Sequence, residues 1–244
     1  MSDAACGPLG AGPQPDRDCL AAVFLNGDYD DPAYFRDWAN AADVVVAADG
    51  GARFLLEHGI RPDVVVGDFD SLPPAAVERL EAAGVELIRH SVRKDRTDGE
   101  MAADEALRRG AGELVLAGAL GALDHTLGHL AILRRLAACR VAARLAAPRL
   151  TVRVLVAPAE ARLDAPAGTR VSIVPQHGDS LVTLDGFDYA LDRGVLPQDT
   201  CLGLGNAVVA AARILVHEGV VAVLVEDGDE AFGGMRRGDR AATP

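Results

Sequence analysis

Two short apolar segments, each ending in acidic residues, constrain the fold of this chain more than any other feature. Residues 44–48 read VVVAA and are followed by Asp-Gly-Gly at 49–51. Residues 64–66 read VVV and are followed by Gly-Asp-Phe-Asp-Ser at 67–71. Apolar runs of this length, bounded by turn residues, predict buried β-strands. Because ligands of open α/β sheets bind beyond the carboxyl ends of the strands, we expect both acidic turns to border one crevice.

The chemistry of these turns points to a metal ion and a phosphate. Asp49, Asp68 and Asp70 supply hard oxygen ligands without cysteine or histidine, a set that favours Mg²⁺ over zinc. On spacing alone, Asp68 and Asp70 are equally consistent with a helix cap next to Ser71. Asp49 favours the metal site, because neighbouring carboxylates repel each other unless a cation neutralises them.

The rest of the chain divides into two patterns. Up to residue 147, apolar strand candidates alternate with helical segments of about 8–15 residues, which predicts right-handed βαβ units and a parallel sheet. After residue 148, strand candidates at 152–156, 171–174, 181–184 and 220–225 are separated by Gly, Pro and Asp turns with little helical signal. We therefore predict an α/β protein with an N-terminal Rossmann-like parallel sheet and flanking helices, followed by a smaller all-β, sandwich-like domain.

The predicted domain boundaries follow from these patterns and from the composition of the ends. They are a disordered leader at 1–18, a nucleotide-binding α/β domain at 19–147, a β domain at 148–227 and a loose tail at 228–244.

Charge and cysteine content exclude several classes of protein. The net charge of −12 and the pI near 4.9 argue against a general nucleic-acid binder, which would carry a basic face. The four cysteines contain no C-x-x-C pair, so we expect neither a zinc site nor a disulfide framework, and a reducing compartment. No apolar run reaches the length of about 18 residues needed to cross a membrane, and no secretory signal is recognised. A cytoplasmic location is the resulting expectation.

A second charged motif, Lys-Asp-Arg-Thr-Asp, occupies residues 94–98. Taken alone, it is more typical of a solvated turn in which Thr97 or Asp98 caps the following helix. However, Lys94 is the single lysine of the chain. An ammonium beside two carboxylates suits a phosphate oxygen, and Asp95 or Asp98 is a further candidate metal ligand.

A third motif begins with a glycine-rich loop after the strand at 114–117. Gly118 and Gly121 allow a close backbone approach, and the N-terminus of the following helix attracts phosphate. Asp124 and His125, at the start of that helix, are equally consistent with plain caps. Because G-x-G-x-x-G is absent, a hydride-transferring dehydrogenase is a poor interpretation.

Together the three motifs resemble the thiamine pyrophosphokinase (thiamine diphosphokinase) family. The family patterns A-D-G-G-A, P-D-x-x-x-G-D-F-D-S, D-x-T-D and G-R-x-D-H are similar to residues 48–52, 62–71, 95–98 and 118–125. In the β domain, residues 186–191 resemble G-L-x-[WY]-x-L and residues 204–206 resemble T-S-N.

The chain departs from the family patterns at four positions. Ala122 stands where the arginine of G-G-R-x-D is expected, and Met101 where a lysine usually follows T-D. Gly205 replaces the serine before Asn206, and Arg53 replaces an asparagine after D-G-G-A. The carboxylates are all retained, which preserves the case for magnesium more than the case for thiamine.

The resemblance implies transfer of a diphosphate group from ATP to the hydroxyl of thiamine, giving thiamine diphosphate and AMP. It assigns Mg²⁺ to Asp49, Asp68, Asp70 and Asp98. Asp70 would also act in catalysis, and Asp98 or Asp124 would orient the attacking hydroxyl. The implied nucleotide-binding residues are Asp49, Gly50, Gly51, Ser71, Lys94, Asp95, Thr97, Gly118, Gly121 and His125, with nearby arginines offsetting the remaining negative charge.

The resemblance also implies a homodimer in which the acceptor lies between subunits, against the β domain. Tyr189 would stack on the acceptor ring, and Gly205 and Asn206 would help bind it. From the sequence alone, it is about equally consistent that Tyr189 is an aromatic residue of a strand and lies in the core.

Two alternatives remain open at this point. The altered Ala122 and Gly205 motivate a diphosphokinase that acts on another alcohol, such as a hydroxymethylpterin. The missing arginine and lysine motivate a catalytically silent protein that binds Mg-nucleotide.

Overall fold

The computed structural model describes residues 16–91 and 95–226. The chain divides between residues 147 and 148 into two compact units. Within the described residues, none of the helices combines the length and the apolar character that crossing a membrane requires.

The first unit is a parallel sheet with intervening helices. Its described elements are β1 (Asp16–Phe24), α1 (Pro32–Ala41), β2 (Val44–Ala48), α2 (Gly51–Glu57), β3 (Val64–Gly67), α3 (Pro74–Ala82), β4 (Glu86–Arg89), α4 (Asp98–Arg108), β5 (Ala111–Ala117), α5 (Leu123–Ala138) and β6 (Ala142–Ala147). The strand order is β6-β5-β1-β2-β3-β4, and each of these neighbouring pairs is parallel. The predicted α/β fold is confirmed.

Burial explains why these segments form the centre of the sheet. Residues 21–24 of β1 and 64–66 of β3 are fully buried, as expected for strands whose two faces are both covered. Phe24, Phe35 and Leu55 belong to one core cluster of this unit. The pairing of β1 with both β2 and β5 places the ends of three strands side by side at one edge.

The boundaries differ from the sequence expectation at two places. β1 begins at Asp16, so the predicted leader extends too far by residues 16–18; residues 1–15 lie outside the described part of the chain. The first residue of the strand pairs with Ala111, before an irregularity in the register. The strand β6 was not predicted, because its sequence, AARLAA, is rich in alanine and lacks the β-branched residues typical of strands.

The second unit is antiparallel. Its described elements are β7 (Leu150–Val156), β8 (Ala159–Leu163), β9 (Arg170–Pro175), β10 (Ser180–Phe187), β11 (Leu191–Leu196), β12 (Asn206–Glu218) and β13 (Val220–Glu226). The order is β11-β10-β12-β9-β13-β7, with β8 also paired to β12. Its core includes Ile173, Leu184, Phe187 and Ile214. The Rossmann-like and sandwich-like descriptions, and the predicted domain roles, stay predictions.

One cysteine differs from expectation. Cys139 is disulfide-bonded, whereas Cys201 is an exposed free thiol. The sequence predicted no disulfide framework and did not indicate the bond at Cys139.

Candidate functional site

The two acidic turns meet at the carboxyl edge of the parallel sheet. Asp49 follows β2, and its backbone N–H donates to the carbonyl oxygen of Val66 in β3 at 2.9 Å. Asp68 and Asp70 follow β3. One carboxylate oxygen from each of Asp49, Asp68 and Asp70 lies within 4.8 Å of the others. We call these three residues the carboxylate group.

Asp98, the first residue of α4, borders the carboxylate group through Gly67. A Cβ atom at Gly67 would lie 2.9 Å from the Cβ of Asp49 and 3.3 Å from Oδ1 of Asp98. Glycine therefore leaves the space in which a strand end and a helix start bring their carboxylates together. The structure places all four of the predicted metal ligands at this edge.

The turn after β3 is fixed by its own side chains. The N–H of Asp70 donates to Oδ1 of Asp68 at 3.2 Å, and the hydroxyl of Ser71 donates to Oδ1 of Asp70 at 3.1 Å. Phe69, between the two aspartates, has φ of 65°, a left-handed conformation that a bulky residue rarely adopts. Its ring is buried in the core, which holds the strained turn in place and directs the flanking carboxylates to the edge.

The environment of Asp49 disfavours its charged form. Burial raises its pKa above the usual range, and the charges of Asp98 and Asp68 raise it further, although hydrogen bonds involving Ser71 and Gly50 lower it. Its side chain is 6% exposed, and Oδ1 is buried with no hydrogen-bond partner among the described residues. A buried carboxylate oxygen without a donor, beside other carboxylates, fits a divalent cation with a preference for oxygen ligands.

Comparison with known proteins finds similarity to one family. Residues 35–144 match the family model described as thiamin pyrophosphokinase, catalytic domain. A curated relative, thiamine pyrophosphokinase of Bacillus subtilis (strain 168), is 28% identical over 167 residues, which are 67% of this chain and 78% of the relative. Residues 35–144 are thus similar to the catalytic domain of thiamine pyrophosphokinases.

Solved structures of thiamine pyrophosphokinases have the same fold. The structure of the Geobacillus thermodenitrificans protein has a TM-score of 0.72 at 26% identity and covers 85% of this chain and 97% of its own. The Bacillus subtilis structure has a TM-score of 0.73 at 23% identity and covers 85% and 98%. The Candida albicans structure, at 15% identity, has a TM-score of 0.70 and covers 85% and 88%. The likeness therefore extends over both units of the chain.

Within this thiamine pyrophosphokinase fold, the glycines after β2 serve close packing at the strand ends. A Cβ at Gly50 would lie 2.4 Å from Oδ1 of Asn26, and a Cβ at Gly51 would lie 2.1 Å from the carbonyl oxygen of Phe24. Both glycines are needed because the end of β1 lies against them. They shape the carboxyl edge of the sheet beside the carboxylate group.

The glycine-rich loop after β5 also lies against the β1 turn. Gly118 has φ of 63°, and a Cβ there would lie 2.5 Å from the hydroxyl of Tyr29, which donates to the carbonyl oxygen of Leu25 at 2.6 Å. Gly121 has φ of 144°, and a Cβ there would lie 3.3 Å from Oδ2 of Asp28. Both positions require glycine because the segment after β1 approaches them closely.

The charged motif before α4 is partly outside the described residues. Lys94 is one of the residues 92–94 that the structure does not describe. Thr97 is the N-cap of α4 and forms a capping box with Glu100, so its predicted cap role is confirmed. Arg96 forms an ion pair with Asp104, whereas Asp95 is exposed.

The start of α5 shows only local contacts for the predicted residues. The N–H of His125 hydrogen-bonds to Oδ1 of Asp124 at 2.9 Å, and both residues are exposed. One turn later, Nδ1 of His129 donates to the carbonyl oxygen of Ala119 at 2.7 Å. Burial lowers the pKa of His129, and the charge of His125 lowers it further, although the hydrogen bond raises it.

In the second unit, Tyr189 is exposed and Asn206 is buried. Tyr189 is 71% exposed, so the alternative of a core aromatic is wrong. Asn206 is 4% exposed; its Oδ1 accepts from the N–H of Tyr189 at 3.0 Å, and its Nδ2 donates to the carbonyl oxygen of Tyr189 at 2.9 Å. Gly205 has φ of 69° and donates its N–H to the hydroxyl of Ser172 at 3.1 Å.

Sequence reasoning did not assign site roles to three residues near the carboxylate group. Asn26 lies against Gly50, as described above. Arg53, in α2, donates from Nη2 to the carbonyl oxygen of Ser71 at 2.7 Å, and the guanidinium of Arg89 lies 4.5 Å from the centre of the Phe69 ring. The signal for Asn26 was present in the sequence, because Asn-Gly directly follows an apolar strand. No local pattern indicated the other two.

Proposed function

We propose that this protein transfers the diphosphate group of ATP to the hydroxyl of thiamine and releases AMP. The similarity of residues 35–144 to the catalytic domain of thiamine pyrophosphokinases supports the reaction. The single observation that carries the proposal for this site is the convergence of Asp49, Asp68 and Asp70 within 4.8 Å at the carboxyl edge of the sheet.

The carboxylate group and Asp98 are the proposed ligands of Mg²⁺. The ion, when bound, would neutralise charge on the phosphates of ATP and on the transferred group. The carboxylates are already oriented for the ion, because Ser71 orients Asp70 and the N–H of Asp70 orients Asp68. Asp49 contributes a carboxylate oxygen without a donor of its own.

The reaction needs positioning and charge neutralisation more than covalent help from the protein. The hydroxyl oxygen of the acceptor attacks the β-phosphorus, the bond from that phosphorus to the oxygen bridging the α-phosphate breaks, and AMP leaves with that oxygen. The hydroxyl proton must pass to a base. Asp98 and Asp124 are the proposed candidates, and the position of Asp98 beside the carboxylate group supports the former.

The exposed ring of Tyr189 is the proposed stacking surface for the acceptor. Asn206 uses its amide to hold the backbone of Tyr189 on both sides. We therefore assign Asn206 a positioning role, and Gly205 a role in shaping the adjacent turn.

The homodimer is proposed from the surface of the second unit. Four large apolar or aromatic side chains near the start of β12 are more than half exposed: Tyr189, Leu202, Leu204 and Val209. Exposed apolar clusters of this kind mark association surfaces. The cytoplasmic location stays a prediction from the sequence.

The proposal is tested by an AMP-release assay with ATP and a panel of alcohols that includes thiamine and a hydroxymethylpterin, with and without Mg²⁺. We expect Mg²⁺-dependent AMP release with thiamine and formation of thiamine diphosphate in equal amount. AMP release with the pterin alone would refute thiamine as the acceptor. Tight binding of Mg-ATP without AMP release for any alcohol would refute catalysis.

A further inference from the structure

We propose that Arg53 binds the phosphate chain of the nucleotide and supplies the positive charge that the carboxylate group lacks. The inference rests on the proposed function, because it names a further residue of the same site. It follows from the position of the guanidinium, from its hydrogen bond and from the charges around it.

Arg53 lies on the acidic turn. α2 begins at Gly51, directly after the Asp49-Gly50 turn, and Arg53 is in its first helical turn. Its Nη2 donates to the carbonyl oxygen of Ser71 at 2.7 Å, and the hydroxyl of Ser71 in turn donates to Oδ1 of Asp70 at 3.1 Å. The guanidinium is therefore hydrogen-bonded to Ser71, which directly follows Asp70 in the turn that also carries Asp68.

The positive charge of Arg53 is not neutralised by its hydrogen bond. The acceptor is an uncharged carbonyl oxygen, which only orients the guanidinium. The ion pairs within residues 16–91 and 95–226 do not include Arg53, although several carboxylates lie close by, and the residue is exposed. A guanidinium has five N–H donors, and the hydrogen bond to Ser71 uses one nitrogen. The remaining donors match the paired oxygens of a phosphate.

The charge balance of the edge calls for such a cation. Asp49, Asp68, Asp70 and Asp98 together carry up to four negative charges, and a nucleoside triphosphate adds about four more. One Mg²⁺ or two leave a negative excess, so a fixed cation beside the bound phosphates lowers the energy of the complex. Arg89 also lies near this turn, but its guanidinium is stacked on the ring of Phe69. Arg53 is the arginine bound to the acidic turn itself.

The test measures binding of the magnesium complex of α,β-methylene-ATP, in which the reacting bond cannot break, by titration calorimetry. Arg53→Gln should weaken this binding by about tenfold to a hundredfold, the usual effect of losing charged hydrogen bonds. AMP, which lacks the β- and γ-phosphates, should bind both proteins alike. Arg53→Lys should recover part of the loss, because lysine keeps the charge without the planar fork.

Arg61→Gln is the matched control. Arg61 also donates to backbone carbonyl oxygens, those of Ala83 and Gly84, at 2.9 and 2.8 Å, but it precedes β3 and so lies at the amino edge of the sheet. This variant should bind the analogue as the wild type does. Thermal unfolding of each variant shows whether the fold is retained.

A second measurement needs no variant. Phenylglyoxal modifies accessible arginines, and mass spectrometry locates the modified residue. The magnesium complex of the analogue should protect Arg53 in the wild-type protein, AMP should not, and Arg61 should react equally in all samples. Unprotected Arg53, or an Arg53→Gln variant that is folded and binds the analogue normally, would overturn the inference.

The outcomes also separate this inference from the proposed function. A wild-type protein that makes no thiamine diphosphate but needs Arg53 for triphosphate binding refutes the function and supports the inference. A wild-type protein that makes thiamine diphosphate, but whose triphosphate binding does not need Arg53, supports the function and refutes the inference.

Discussion

Asp49→Asn should stabilise the protein without metal while removing its response to Mg²⁺. Asp49 is buried and lies beside other carboxylates, and its raised pKa means that its charged form is disfavoured in the folded state. A carboxyl whose pKa is higher in the folded than in the unfolded state binds more protons when folded, so its ionisation at neutral pH costs stability. Asparagine removes that charge and also tolerates the φ of 42° at this position.

The expected gain follows from the geometry of the carboxylate group. The carboxylate oxygens lie within 4.8 Å of one another, and two unit charges at that upper limit repel by about 3.5 kcal/mol at an effective dielectric of about 20, and by about 0.9 kcal/mol in water. Asp68 is half-buried and Asp70 exposed, which favours the lower part of this range. We expect the free energy of unfolding in EDTA to rise by about 1–3 kcal/mol.

The assay is urea unfolding followed by circular dichroism, in EDTA and in Mg²⁺. At ten times its dissociation constant, Mg²⁺ should stabilise the wild type by about 1.4 kcal/mol, and this increment should nearly vanish in the variant. Asp63→Asn is the control, since Asp63 precedes β3 at the opposite edge and accepts the N–H of Val45 at 2.8 Å. It should keep the Mg²⁺ increment and gain no stability. An Asp49→Asn protein that is less stable in EDTA would exclude charge repulsion at Asp49, and one equally stabilised by Mg²⁺ would exclude Asp49 as a metal ligand.

Three further predictions address other parts of the molecule. Asn206→Ala should raise the KM for thiamine about tenfold with a smaller effect on kcat, because the hydrogen bonds that hold Tyr189 are lost. Steady-state kinetics measures both constants, and an equal rise in the KM for ATP would count against the positioning role of Asn206. The double substitution Leu202→Glu and Leu204→Glu should turn a dimer into a monomer in light scattering, and an unchanged mass would exclude this surface as the interface. For His129, whose pKa is lowered, the unfolded state binds more protons below pH of about 6.5, so the free energy of unfolding should fall as the pH drops. Urea unfolding at several pH values should show a smaller fall for His129→Gln, and an identical fall would exclude His129 as its source.

The acidic edge could be predicted because its signals are local. Asp49 and Asp68 directly follow short valine-rich strands, Asp70 is two residues further on, and parallel strands end at one edge. The cap at Thr97 could likewise be predicted from the sequence, because a capping box needs only residues 97 and 100.

The remaining features depend on contacts between distant segments. Arg53 meets Ser71 only because β2 and β3 pair, and the need for Gly50 becomes evident only when Asn26 lies against it. β12 was not predicted because its alanine-rich sequence, NAVVAAARILVHE, lacks the alternation of a half-buried strand. Its strand conformation results from pairing with β8, β9 and β10.

The proposed function requires that the carboxylate group hold a divalent ion that carries ATP. The most direct test is the rate of thiamine diphosphate formation from ATP and thiamine, measured against Mg²⁺ concentration for the wild type, Asp70→Asn and the control Asp63→Asn. We expect saturable Mg²⁺ dependence in the wild type and the control, and a rate lower by about a hundredfold or more in Asp70→Asn. An undiminished rate in Asp70→Asn at the same Mg²⁺ concentration would contradict the central claim.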